Sequence, residues 1–284
     1  DLCGYQLSFP ITITVPVPAV RALVQLWVNR AMLLGYGFNH YAAVDAFHQV
    51  LTLDPDCILA HWGVAYNLGE NYNNKEVPPE DMLIACQHVE IALELLGGGS
   101  GNGNGVVYTE LEVRLLHAIR LRCIPSPSPN PPQTKTVDQC SELYCQAMKE
   151  ILHSSSGSGN SGGDNYKPVR APVDIVALYA ESVLNKRPWK LWVGSDGAMF
   201  TGNVKSIDHT AEPGLAETVT LGKCVLTAIE TYPLHPALEH VYVHYAELGP
   251  RAVLYSALPS AFKCSSQWPV MGHLQPGGSL RAWG

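Results

Sequence analysis

LGYGFNHYAAVDAFHQVLTLDPDCILAHWGVAYNLGENYNN, residues 34–74, reads as a helix, a turn and a second helix. Ala43, Ala46, Phe47, Val50 and Leu51 recur at three- and four-residue steps. That period places them on one face of a helix from about His40 to Leu53. Asp54-Pro55-Asp56 then ends it, because proline has no N–H to continue the ladder and disfavours helical backbone in the residue before it. Asp56 is placed to cap a second helix that opens near Ile58 and carries Ala60, Trp62, Val64, Ala65 and Leu68.

Working outward, residues 1–19 contain SFPITITVPVP, whose prolines and alternating threonines suit an extended arm. A helix follows over about Pro18–Leu34, with Leu23, Leu26, Trp27 and Ala31 expected on its buried side. Trp27, Leu34, Ala43, Phe47 and Pro55 fall at the spacing of a tetratricopeptide repeat, a helix pair that buries its apolar face by stacking on neighbours. Further helices are expected over about Pro79–Leu96, Val107–Arg122, Val137–His153, Pro172–Arg187, Gly214–Thr231, His235–Gly249 and Arg251–Phe262. In the Pro79–Leu96 helix, Leu83, Cys86, Val89, Ala92, Leu93 and Leu96 make the stripe. Three insertions at 97–105, 125–132 and 154–163 are too rich in Gly, Ser and Pro to pack a core, so they read as flexible surface loops. The pattern predicts an all-α chain: an extended arm over 1–19, then one tetratricopeptide-like α-solenoid over 20–284, with five to seven helical pairs or half-pairs.

Composition narrows the function. With 284 residues, 46% hydrophobic and 15% charged, the chain has material for a sizeable core. No apolar run reaches the length of a membrane span, which predicts a soluble protein. A net charge of −7 without a Lys/Arg cluster leaves nothing to neutralise a phosphate backbone, so nucleic acid is not an expected partner. The chain starts at Asp1, which fits a processed or secreted protein or part of a longer one, and its compartment stays open. Eight cysteines (Cys3, Cys57, Cys86, Cys123, Cys140, Cys145, Cys224 and Cys264) lack CxxC spacing, and both buried thiols and disulfides remain open.

GYGFNHYAAVDAFHQVLTLDPDCILAHWGVAYNLGENYN, LYAESVLNKRPWKLW with its following DG, YPLHPALEHVYVHYAEL and PVMGHL occur in that order. Through these four stretches the chain resembles a family of bacterial-type tetratricopeptide-repeat proteins of poorly defined function. The resemblance implies a helical-repeat fold. It also implies further histidines in an HMPxHI-like continuation after GHL, where this chain has QPGGSLRAWG instead.

Two chemistries follow. His240, His244 and Glu247 stand at i, i+4 and i+7 on a helix, one face. Two imidazoles one turn apart can hold a zinc or copper ion, and a carboxylate can complete or orient the site. His273 is a third imidazole for such a centre. The same histidines can equally line a polar groove or bond to neighbouring helices. HExxH and a phosphate-binding GK[ST] are missing from the sequence, and there is no GxSxG elbow, that spacing falling only within the Gly/Ser-rich insertion. The second chemistry is a concave groove for a protein or peptide partner, with Asn39, His40, His61, Asn71, Trp189 and Trp192 as its candidate residues. The expected function is a non-enzymatic scaffold, with assembly into a larger complex or self-assembly through the arm. The alternative is a metal-binding protein or metalloenzyme at His240, His244 and Glu247.

Overall fold

The computed structural model describes residues 4–98, 106–123, 135–155 and 171–267. Among them are ten α-helices and two isolated β-bridges, so the fold is all-α. The insertion at 125–132, nearly all of those at 97–105 and 154–163, and His273 lie outside the described residues. No helix among the described residues is long and apolar enough to cross a membrane. The chain divides into two compact units, residues 2–151 and 152–284.

The first unit holds α1 (Pro18–Tyr36), α2 (His40–Leu53), α3 (Ile58–Leu68), α4 (Pro79–Leu96), α5 (Glu110–Arg120) and most of α6 (Val137–Ser155). α1 packs on α2, α2 on α3 and α3 on α4, while α1 and α5 also meet α3. That position explains α3: all eleven of its residues are buried, and its sequence is apolar nearly all round. Trp62 stacks on Tyr66 at 4.9 Å within it. α2 and α3 approach so closely that a Cβ on Gly63 would lie 2.3 Å from the Phe47 ring, so only glycine fits there.

α2 begins and ends where the sequence places it, and Phe47 is its fully buried anchor. Three local expectations need correction. The buried face of α1 is Val24, Val28, Ala31 and Met32, whereas Leu23 and Leu26 are exposed and Trp27 is half-buried beside Arg30. Asp56 does not cap α3, whose N-cap is Cys57 with no side-chain bond. Leu83 of α4 faces out, the deepest residues of that helix being Ala85, Val89 and Ala92.

The arm runs extended on its own unit. Thr14 donates its N–H to Asp54 at 2.7 Å and its hydroxyl to the other oxygen of that carboxylate. Thr12 does the same to Glu112, at 2.8 and 2.7 Å. Asp54 and Glu112 are both buried, so the alternating threonines supply the donors that make burying those carboxylates tolerable. Glu112 also closes a capping box with Thr109, which starts α5 at Glu110.

The second unit holds α7 (Val173–Lys186), α8 (Pro213–Thr231), α9 (Pro236–Ala246) and α10 (Arg251–Gln267). α7 packs on α8, α8 on α9, α9 on α10, and α7 on α9. This repeats the contact pattern of α1 to α4. The joints agree as well: Asp54 after α2 has φ −141° and ψ 83°, and Tyr232 after α8 has φ −128° and ψ 66°, each followed by a proline. α7 is buried from Val173 to Asn185, including Asp174, Glu181, Ser182 and Asn185.

Candidate functional site

In the first unit, the start of α2, the end of α3 and the start of α4 border a cleft of about 270 Å³. Phe38, His40, Tyr41, Asn67, Asn71 and Asp81 are among its walls, with Asn73 and Asn74 beside them. Each is held for a local reason. Phe38 takes φ 57°, a conformation that costs a non-glycine residue about 1–3 kcal/mol, and its ring stacks on His40 at 5.5 Å. His40 Nδ1 meets Asn67 Oδ1 at 3.1 Å, and Asn67 in turn donates to the Gly63 carbonyl at 2.8 Å. The tautomer of His40 follows, since an amide oxygen only accepts: Nδ1 carries the proton. Burial pulls the His40 imidazole below its ordinary range; the Asn67 bond opposes this and the nearby Arg122 cation adds to it. Tyr41 donates its hydroxyl to Asp81 across the rim at 2.9 Å.

The asparagine run after α3 is a tight turn. Asn71 Oδ1 accepts from the N–H groups of Asn73 and Asn74, at 3.0 and 2.9 Å, and the Asn71 and Asn74 backbones bond to each other. Behind it lies Arg122, buried between Tyr66 and Tyr144 at 5.8 and 5.0 Å, with Nη2 donating to the Glu70 carbonyl. Ser141 donates to Glu70 at 2.5 Å. Burial pushes the Tyr144 phenol up to about 12.

Of the groove residues expected from sequence, His40 and Asn71 line this cleft. Asn39 sits beside it with its amide on the Gly37 carbonyl at 3.1 Å. His61 is buried further along α3 and pairs with His88. Trp189 and Trp192 belong to the second unit. Trp192 is a core residue and not a groove residue: it is fully buried, and its indole N–H donates to the Tyr245 carbonyl at 2.7 Å. Trp189 is exposed and takes φ 60°. Tyr41, Asn67 and Asp81 escaped the sequence reading. Asn67 carried a signal, as the one amide in a helix that is apolar nearly all round.

The histidines of α9 do come together. His244 Nε2 lies 2.9 Å from His240 Nε2, and His244 Nδ1 lies 2.9 Å from Glu247 Oε1. All three side chains are buried. A carboxylate only accepts, so His244 Nδ1 carries the proton and its Nε2 lone pair faces His240. This is the orientation in which an outer carboxylate fixes a metal-binding imidazole, with two Nε2 atoms converging. Glu247 therefore stands on the far side of the His244 ring, where it orients the imidazole. Among the described residues no three His, Cys, Asp or Glu side chains already surround one point. The sequence did not single out His235, at the N-cap of α9, whose Nε2 lies 3.3 Å from the buried Asp174 of α7.

Cys57, Cys86, Cys123, Cys140, Cys145 and Cys224 stand as thiols. Burial pushes Cys57 up to about 12. A hydrogen bond between Cys86 and Cys123, followed by burial, raises Cys123 as well. Neither is suited to act as a nucleophile near neutral pH, because the thiolate is the reactive form.

Comparison with known proteins finds no match to any family model, any curated protein or any solved structure.

Proposed function

We propose that the chain is a non-catalytic binding protein whose first unit takes a short extended segment of a protein partner in the cleft at His40. The observation that carries this is the cleft's lining: amides, one imidazole and the Asp81 carboxylate, set by turn and helix-end geometry, beside the aromatic faces of Phe38 and Tyr41. Amides both donate and accept, which is what a peptide backbone requires of its receptor. At about 270 Å³ the space is slightly below the usual range for a small-molecule pocket and suits one or two side chains with their backbone. We read α1 to α4 and α7 to α10 as tetratricopeptide-like helix pairs; the repeated contact pattern supports this. Assembly with further copies would use the same stacking.

A peptide array probed with the full chain and with the Tyr41→Ala/Asn73→Ala variant tests the reading. Both positions are exposed, so the variant should keep its helical circular dichroism. Sequence-selective spots that the variant loses support a peptide receptor. No selective spots, or spots retained by the variant, would rule out this cleft.

A second reading rests on the converging Nε2 atoms of His240 and His244. There a zinc or copper ion would be held by the two imidazoles, with Glu247 orienting His244 and His273 a further candidate ligand. Elemental analysis of the purified chain beside His240→Ala/His244→Ala decides it. A higher metal content in the native chain than in the variant supports this centre; equal content in the two after exposure to zinc and copper removes it.

A further inference from the structure

We infer that His61 and His88, with His48 as a third ligand, form a separate site for a divalent transition-metal ion of the zinc and copper class. The imidazoles come from three consecutive helices, α2, α3 and α4; His61 and His88 are already in contact, and His48 lies beside His88 without yet completing a three-ligand cluster. His61 Nδ1 lies 2.9 Å from His88 Nδ1, with ring centroids 5.1 Å apart, and the His48 ring is 5.5 Å from that of His88.

The turn that separates α2 from α3 sets the chemistry. His61 Nε2 lies 3.2 Å from the Pro55 carbonyl, and a carbonyl only accepts, so the His61 proton sits on Nε2. Its Nδ1 is therefore a lone pair, and His88 donates Nδ1–H to it. A backbone carbonyl behind one ring nitrogen and a lone pair on the other is how proteins hold a ligating imidazole. Replacing the shared proton with a metal ion moves the His88 proton to its Nε2, and both Nδ1 atoms become ligands. Tetrahedral coordination at about 2.0–2.1 Å requires the two nitrogens about 3.3 Å apart, so the rings must separate by only a few tenths of an ångström. His48 is exposed with its ring beside that of His88, which is half-buried, so an ion can enter from solvent.

The test uses Zn2+ alone on the full chain, with His88→Gln and His48→Gln as variants at non-buried positions. Calorimetric titration gives affinity, and long-range 1H–15N spectra of the imidazoles identify which nitrogens bind. The α9 histidines are separated by their own resonances, so this outcome is independent of the one for His240 and His244. The expected result is a Zn2+-induced shift of Nδ1 in His61 and His88. His88→Gln should weaken that binding by more than the 10–100-fold that loss of an outer partner costs, and His48→Gln by at least about tenfold. Unshifted His61 and His88 resonances, or either variant binding as tightly as the native chain, would overturn the site.

Discussion

The joint between α2 and α3 and the joint between α8 and α9 are the same device used twice, with different contents. Each ends a helix at an extended residue followed by proline and then opens an eleven-residue helix, α3 or α9. Each helix pair also closes around one glycine opposite one aromatic ring. In the first unit the glycine is Gly63 on the later helix and the ring is Phe47 on the earlier one; in the second the glycine is Gly222 on the earlier helix and the ring is Tyr245 on the later one. Backbone pairing is preserved while the side chains that fill it are exchanged. The histidines diverge in the same way. His61 is buried, finds its half-buried partner on another helix and is oriented by the Pro55 carbonyl. His240 and His244, both buried, pair within α9 and are oriented by Glu247. The shared pairing fixes where α3 and α9 lie. It does not fix what they carry.

Removing the anchors should have the largest effect. Phe47→Ala empties the space around Gly63 and should cost about 3–5 kcal/mol. Trp192→Ala in the second unit should cost a similar amount, because a fully buried indole and its bond to the Tyr245 carbonyl are lost together. Denaturant melts followed by hydrogen exchange on α2 and α3, or on α8 and α9, measure both. A loss below about 1 kcal/mol at Phe47 would mean that Gly63 does not face a packed ring.

The glycines should come next. A Cβ at Gly63 meets Phe47 at 2.3 Å, and one at Gly222 meets the Tyr245 hydroxyl at 2.2 Å. Gly63→Ala should cost about 1–3 kcal/mol of overpacking, since a ring locked in a core cannot retreat. Gly222→Ala should cost less, because the clash is with the tip of a tyrosine. Equal losses would show that Tyr245 is held as firmly as Phe47, through its carbonyl's bond to Trp192 and its stacking on Tyr242 at 5.7 Å.

Much of the fold was legible in single stretches. The span of α2 and the start of α3 follow from apolar spacing and one proline. Of the face expected for α1, Ala31 is buried, but Leu23 and Leu26 are exposed and Trp27 is half-buried. Val24 and Val28, one position after Leu23 and Trp27, take their place, and these smaller side chains suit a close approach to α2. The start of α5 was placed early, at Val107, because the capping box of Thr109 and Glu112 was not weighed. The candidate site was less legible for a different reason. Helical period says which face a residue occupies but not which helix will face it. His240, His244 and Glu247 meet within one helix and could be found by counting. His48, His61 and His88 are spread over forty residues, and only packing brings them together.

A smaller effect separates the two units by sign. His40 is held below its ordinary range of about 6.5, so as pH falls the unfolded chain takes up this proton before the folded one does. Its contribution is complete above pH 6.5 and declines on acidification. Glu181 on α7 is buried and pushed up to about 7, burial outweighing the bond from Asn185. The folded unit therefore holds a proton that the unfolded chain, with a carboxyl near 4.5, has released. That contribution is complete below 4.5 and is lost as pH rises to 7. Between pH 5 and 7, opening free energies from hydrogen exchange, corrected for intrinsic rates, should fall on acidification for α2 and α3 and rise for α7. His40→Gln should reduce the first trend, to which His61 and His88, also held low by burial, add with the same sign, and Glu181→Gln, which places a neutral amide where the protonated carboxyl sits, should flatten the second. Parallel slopes in the two units would show that other groups dominate both, and that the different polar contents of α3 and α7 do not set how each unit responds to acid.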